Sequence, residues 1–104
     1  MERTIVRITK QDAEKRLGNV PQEYVFVLQD RRQLRNLVDL ADALNAMSNE
    51  IYNFHVNDSK NDFSRWVVDI IQDEKLARDL GKARSRENAA KLVNQRIEFL
   101  KSKV

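Results

Sequence analysis

Cysteine is absent from this chain, which removes disulfides, thiolate zinc sites and thiol nucleophiles together. Zinc-finger nucleic-acid modules go with them. Glycine occurs twice and proline once in 104 residues, while charged residues make up 34%. That is the balance of a helical domain and not of a disordered tail. No apolar run approaches the roughly 20 residues that span a bilayer. The start, Met1 to Val6, has no long apolar segment after its charges, so it does not read as a signal peptide. The expected address is the cytoplasm, with no membrane partner. Histidine occurs once, as His55, so imidazole chemistry has a single place to be.

What is present fits one domain. A chain of this length buries about two-thirds of its unfolded surface and folds without a metal or disulfide. The net charge of +3 is unevenly spread. Residues 81–104 carry Lys82, Arg84, Arg86, Lys91, Arg96, Lys101 and Lys103 against Glu87 and Glu98, while the preceding eighty residues are net acidic. Basicity therefore belongs to the C-terminal segment.

Along the chain, β-branched Thr4 to Thr9 reads as a short strand. Thr9 then caps a helix through about Leu17, with Asp12 completing a capping box and Gly18 and Pro21 ending it. Tyr24 to Leu28 reads as a strand buried on both faces, and Asp30 to Gln33 as a turn. Leu34, Leu37, Val38, Ala41, Leu44 and Met47 form a helical stripe. Ser48 caps a short helix with Ile51, Tyr52 and Phe54. After a polar linker, Phe63, Trp66, Val67, Ile70 and Ile71 fit a core-facing helix, for which Asp62 is the expected cap. Asp73 caps a helix with Leu76, Ala77 and Leu80, closed by Gly81. Ser85 opens the last helix, whose stripe of Ala90, Val93, Ile97, Leu100 and Val104 is too short for a stable coiled coil alone. The expected fold is mainly α: a compact bundle of four to five helices with a short two-stranded β element near the N-terminus. It divides into a strand and helix extension (1–22), a core unit (23–80) and a basic C-terminal helix (81–104).

The stretch from Phe54 to Trp66 concentrates the chain's unusual residues, including its only His and only Trp. A nucleophilic triad needs a hydroxyl beside the imidazole and a third group to orient it. Ser48, Ser59 and Ser64 are near in sequence, but each stands where a cap or helix surface places serine, and no nucleophile-elbow glycines occur. Asp58, Asp62 and Asp69 have calcium-loop spacing, yet Lys60 and Phe63 occupy positions that need a ligand and a glycine. Arg31, Arg32 and Arg35 lack the glycines that let a backbone cradle phosphate. Catalysis, metal and cofactor are therefore not expected. The segment reads instead as a junction: Asp62 caps the Trp66 helix, and His55 and Asn61 brace the linker through backbone hydrogen bonds. Trp66 and Phe63 read as core, with a docking anchor as the competing assignment.

A helix-turn-helix pattern over 62–71 and 74–80 is opposed by Glu74 and Asp79 among its cations. Arg84, Arg86, Lys91, Arg96, Lys101 and Lys103 of the last helix are the better candidate nucleic-acid contacts.

The segment from Glu23 to Leu80 resembles a small archaeal and bacterial domain family of unknown function. The matching residues are Glu23-Tyr24-Val25-Phe26, Leu37 to Leu44 with Met47, Phe54-His55-Val56, Asn61 through Val67, Asp69 and Asp73-Glu74-Lys75-Leu76-Ala77. Its specific part is Asn-Asp-Phe-x-x-Trp followed about ten residues later by Leu-Ala; it departs at Arg31, where the family pattern has glycine. The resemblance implies a shared fold unit and a motif of His55, Asn61, Asp62, Phe63 and Trp66, with no chemistry attached. The leading functional expectation is a non-enzymatic domain that binds a macromolecular partner, a protein. The alternative is DNA or RNA binding through the C-terminal helix, which could also mediate self-association.

Overall fold

Thr9 opens α1 (Lys10–Leu17): its hydroxyl accepts from the Asp12 amide at 3.0 Å while the Asp12 carboxylate accepts from the Thr9 amide at 3.3 Å. This reciprocal pair satisfies two helix-end donors that would otherwise lack partners. The computed structural model describes residues 8–104. Of the strand expected over residues 4–9, only Ile8 and Thr9 fall among the described residues, and neither is in a strand. The rest of that expectation lies outside them.

A 3-10 turn (Gln22–Tyr24) leads to β1 (Phe26–Val27), which pairs antiparallel with β2 (Gln33–Leu34), Phe26 opposite Leu34. Two helices follow, α2 (Leu37–Ala46) and α3 (Asn49–His55), and then a second hairpin, β3 (Val56–Asn57) with β4 (Lys60–Asn61). The helix α4 (Asp62–Trp66) runs on as a π turn (Val67–Ile71), and α5 (Glu74–Gly81) and α6 (Arg86–Lys101) complete the order. The fold is mainly α, with six helices and two two-stranded sheets among the described residues.

The core lies where α6 packs along α2, with α1 and α5 against its flanks. Leu37, Leu40, Ala41 and Leu44 of α2 are buried, as are Ala90, Val93, Ile97 and Leu100 of α6. Small residues such as Ala13, Ala41, Ala89 and Ala90 are buried alongside the leucines. Truncating a fully buried leucine such as Leu40 to alanine would cost about 2–5 kcal/mol. The α6 stripe is interior, so it offers no seam to a second copy, and Val104, expected in that stripe, is exposed.

Several local expectations change. Tyr24 to Leu28 is not a strand buried on both faces: Tyr24 belongs to the 3-10 turn and is exposed, Phe26 faces in and Val27 faces out. Leu34 belongs to β2, and Val38 of α2 is exposed. The polar linker is itself a hairpin. Its two-residue turn is held by the Asn57 side chain, which accepts from the Ser59 amide at 3.0 Å. Neither glycine takes a left-handed conformation; Arg31 and Gln72 do, with φ of 75° and 65°. In the first hairpin, the Arg31 amide donates to Leu28 O at 2.8 Å and the Leu28 amide to Arg32 O at 2.9 Å. That is a three-residue turn with its last residue left-handed, a position that favours glycine.

Candidate functional site

His55 ends α3, and the second hairpin folds the chain back so that Asp62, first residue of α4, reaches it. His55 Nε2 accepts from the Gln29 amide at 3.1 Å, and Nδ1 lies 3.0 Å from Asp62 Oδ2. Because Nε2 faces a donor, the ring proton is assigned to Nδ1, which donates to the carboxylate. The ring is 4% exposed and has Phe26, Phe54 and Phe63 within 5.0–5.3 Å of its centroid. A general base needs a free lone pair facing a nucleophile. Here the lone pair holds β1's turn, and no hydroxyl bonds to either nitrogen. Ser48 caps α3 through the Ile51 amide, and Ser64 Oγ donates to Ala77 O at 2.6 Å.

Asp62 does not cap the Trp66 helix. The cap is Asn61, whose backbone is still extended and whose Oδ1 accepts from the Ser64 amide at 3.0 Å. Its Nδ2 donates to Leu80 O at 3.0 Å, so one side chain starts α4 and ties it to the end of α5. Asp62 is already helical, and its carboxylate gathers His55 and Lys60 Nζ, the latter at 2.8 Å. Partial burial pushes the Asp62 carboxyl up, but hydrogen bonds from Lys60 and His55 outweigh it, and the group lies below the usual carboxylate value. Phe63 stacks on Phe26 at 5.0 Å, and Trp66 Nε1 donates to Tyr24 O at 2.8 Å. Trp66 is buried and holds the 3-10 turn; it is not an exposed anchor.

The candidate nucleic-acid contacts divide. Arg96, 9% exposed, donates through Nε to Asp73 Oδ2 at 2.7 Å and through Nη2 to Oδ1 at 3.1 Å. Asp73 is fully buried and also caps α5 through the Leu76 amide at 3.1 Å. Arg86 lies over the C-terminal end of α2, donating to Leu44 O at 2.6 Å and to Asn49 Oδ1 at 3.0 Å, a site where helix carbonyls attract a cation. Arg86 and Arg96 are therefore structural, a correction to their assignment as contacts. Arg84, Lys91, Lys101 and Lys103 are exposed. On α6, however, Lys91 lies one helical turn from Glu87, and Lys101 Nζ is 4.0 Å from Glu98. The face alternates in sign and is no basic stripe.

What sequence reasoning missed is an open groove of about 940 Å³ between α1, the π turn, α5 and α6. Val68, Leu92 and Phe99 supply its apolar wall; Val68 is 38% and Phe99 40% exposed. Arg16, Lys75 and Arg78 rim it beside Glu74 and Asp79. The sequence signal is in α5, where the charged Glu74, Lys75, Arg78 and Asp79 stand beside the buried stripe of Leu76, Ala77 and Leu80. Among the described residues no group of three or more His, Asp or Glu side chains is arranged to hold a metal.

Searches against family models, curated proteins and solved structures return no match to this chain. No helix of the described residues is long and apolar enough to cross a membrane.

Proposed function

We propose that this chain is a non-enzymatic protein-interaction domain of the cell interior that binds its partner in the groove formed by α1, α5 and α6. One observation carries the reading. Polar atoms of the His55–Trp66 junction bond to one another or to backbone, whereas the groove leaves apolar surface and charges facing solvent. Junctions of the first kind hold a fold; clefts of the second kind take partners. The resemblance of residues 23–80 to a small-domain family enters on the same terms. Its shared residues, His55, Asn61, Asp62, Phe63, Trp66 and Asp73, are ones that lock helices and hairpins together here. That supports a common fold unit without a common reaction.

The test places a photo-crosslinking residue at Gln95, in the groove, or at Arg65, exposed and outside it. Protein adducts from Gln95 and none from Arg65 are expected. Nucleic-acid adducts, or equal yields at both positions, would overturn the reading. The nucleic-acid alternative predicts a mobility shift at low salt that charge reversal at Lys91 and Lys101 abolishes; no shift at low salt would remove it.

A further inference from the structure

The groove has one wall of apolar side chains and a rim of unequal charge. Lys15, Arg16, Lys75, Arg78 and Arg96 line or border it, and Lys103 sits 5.2 Å over the Phe99 ring at its edge. Among the described residues four carboxylates oppose these six cations: Glu74 and Asp79 in the lining, Asp73 beneath it, and Asp12 beside Lys15 and Arg16. Two of them are engaged by cations of the groove itself. Asp73 lies beneath, bidentate to Arg96, and Asp79 accepts from Lys75 Nζ at 2.7 Å. Arg16 approaches Asp73 only to 3.9 Å, and Arg78 lies one helical turn from Glu74 but within ion-pair distance of no carboxylate among the described residues. The free charge of the groove is therefore positive, set beside Val68, Leu92 and Phe99.

We propose that the groove takes an acidic amphipathic segment of a partner protein, its apolar side chains against Val68, Leu92 and Phe99 and its carboxylates toward Arg16, Arg78 and Lys103. The proposal rests on the protein-binding reading above and names the partner's chemistry. An apolar stripe lying along a groove with charges at the rim is the helix-in-groove mode of recognition. A nucleic-acid strand suits the site less well, since Phe99 is the one aromatic among the described lining residues and the aliphatic Val68 and Leu92 give bases no platform to stack on. A second copy docked through the same face would bring two positive rims together.

The apolar wall sets affinity, while the rim sets rate and salt dependence. Phe99→Ala should weaken binding by about tenfold or more, the range of a truncated aromatic anchor. Arg78→Glu should weaken it several-fold and flatten its salt dependence. Arg78 is exposed, so its variant keeps the fold, which circular dichroism checks independently.

The experiment titrates the full isotope-labelled chain with a synthetic helical peptide carrying a leucine stripe flanked by glutamates. A control peptide with every glutamate replaced by lysine and a single-stranded DNA oligonucleotide are run in parallel. Saturable amide shifts at Val68, Gln72, Arg78, Gln95 and Phe99 with the acidic peptide alone, weakening with salt and lost in Arg78→Glu, support the proposal. If the lysine peptide shifts these signals equally, the acidic preference is wrong although the groove still binds peptide. If the oligonucleotide moves them and the acidic peptide does not, the partner is of another class. If they move on dilution of the protein alone, the occupant is a second copy and the proposal fails. If no peptide moves them, the groove reading falls as well.

Discussion

Replacing Asp73 with alanine should be among the most damaging single changes in this domain. The Asp73 carboxylate has no solvent exposure and accepts from three donors: the Leu76 amide, Arg96 Nε and Arg96 Nη2. Losing the cap alone costs about 1 kcal/mol. Leaving Arg96 buried without its counter-charge costs about 3–5 kcal/mol. Both losses arise from one carboxylate, so a combined cost of about 4–5 kcal/mol is expected. Domains of this size have total stabilities of about 5–15 kcal/mol, which brings Asp73→Ala close to unfolding at room temperature. At roughly 4 °C or more per kcal/mol, the melting temperature should fall by roughly 15–20 °C.

Arg96→Met should cost less. It leaves a carboxylate still held by the Leu76 amide, with Arg16 at 3.9 Å able to move closer. The double variant Asp73→Ala with Arg96→Met removes both charges and should be more stable than Asp73→Ala alone, because an apolar pair replaces an orphaned cation. Urea titration followed by circular dichroism and by the fluorescence of the lone Trp66 measures all three. Two outcomes would refute the reasoning. One is a loss near 1 kcal/mol for Asp73→Ala, the cap alone; the other is a double variant no better than that single one.

Further outcomes follow from the junction and the turns. Asn61→Ala should cost about 1–2 kcal/mol, since it removes a cap and the donor to Leu80 O, while Asp62→Ala should cost less; equal losses in thermal melts would contradict the cap assignment. Arg31→Gly should stabilise by roughly 0.5–1 kcal/mol, the relief of a left-handed side chain less the extra freedom of unfolded glycine, and a destabilised variant in urea would count against the turn geometry. The folded Asp62 carboxyl titrates below its ordinary value, so its stabilisation is present above about pH 4 and disappears as the pH falls through the folded value. Asp62→Asn should therefore reduce the slope of stability against pH below about pH 4, measured by urea midpoints across that range.

The local part of this fold was legible because its causes are local. Thr9, Ser48, Asp73 and Ser85 sit at the N-caps that their side chains indicate, and the stripe of α6 through Leu100 is buried as its spacing requires. Choosing between adjacent candidates was harder. Asn61 and Asp62 both have capping side chains, and only the second hairpin decides which is still extended when α4 begins. Partners distant in sequence were illegible, though one left a trace. Arg96 falls three residues after Val93 and four before Leu100, on the buried face of α6. A cation at such a position implies a buried counter-charge, and that geometry outweighs its count among basic residues. The left-handed Gln72 leaves no signature, because its residue type does not prefer that conformation, whereas Arg31 stands where the resembled family pattern has glycine.

The His55–Trp66 segment and the groove show why density of polar residues is a poor guide to a site. His55, Asn61, Asp62 and Ser64 look like chemistry in one dimension, yet in three each donor meets an acceptor within the protein. A matched set of that kind rigidifies a junction and has little left with which to bind or react. The groove is assembled from α1, α5 and α6, whose residues are scattered along the chain and unremarkable singly. Its distinguishing property is imbalance: exposed Phe99 and Val68, and more cations than carboxylates among the described residues around it. Binding requires unsatisfied surface, so an inventory of unpaired groups in the folded state is a better guide to a candidate site than any inventory of reactive residue types.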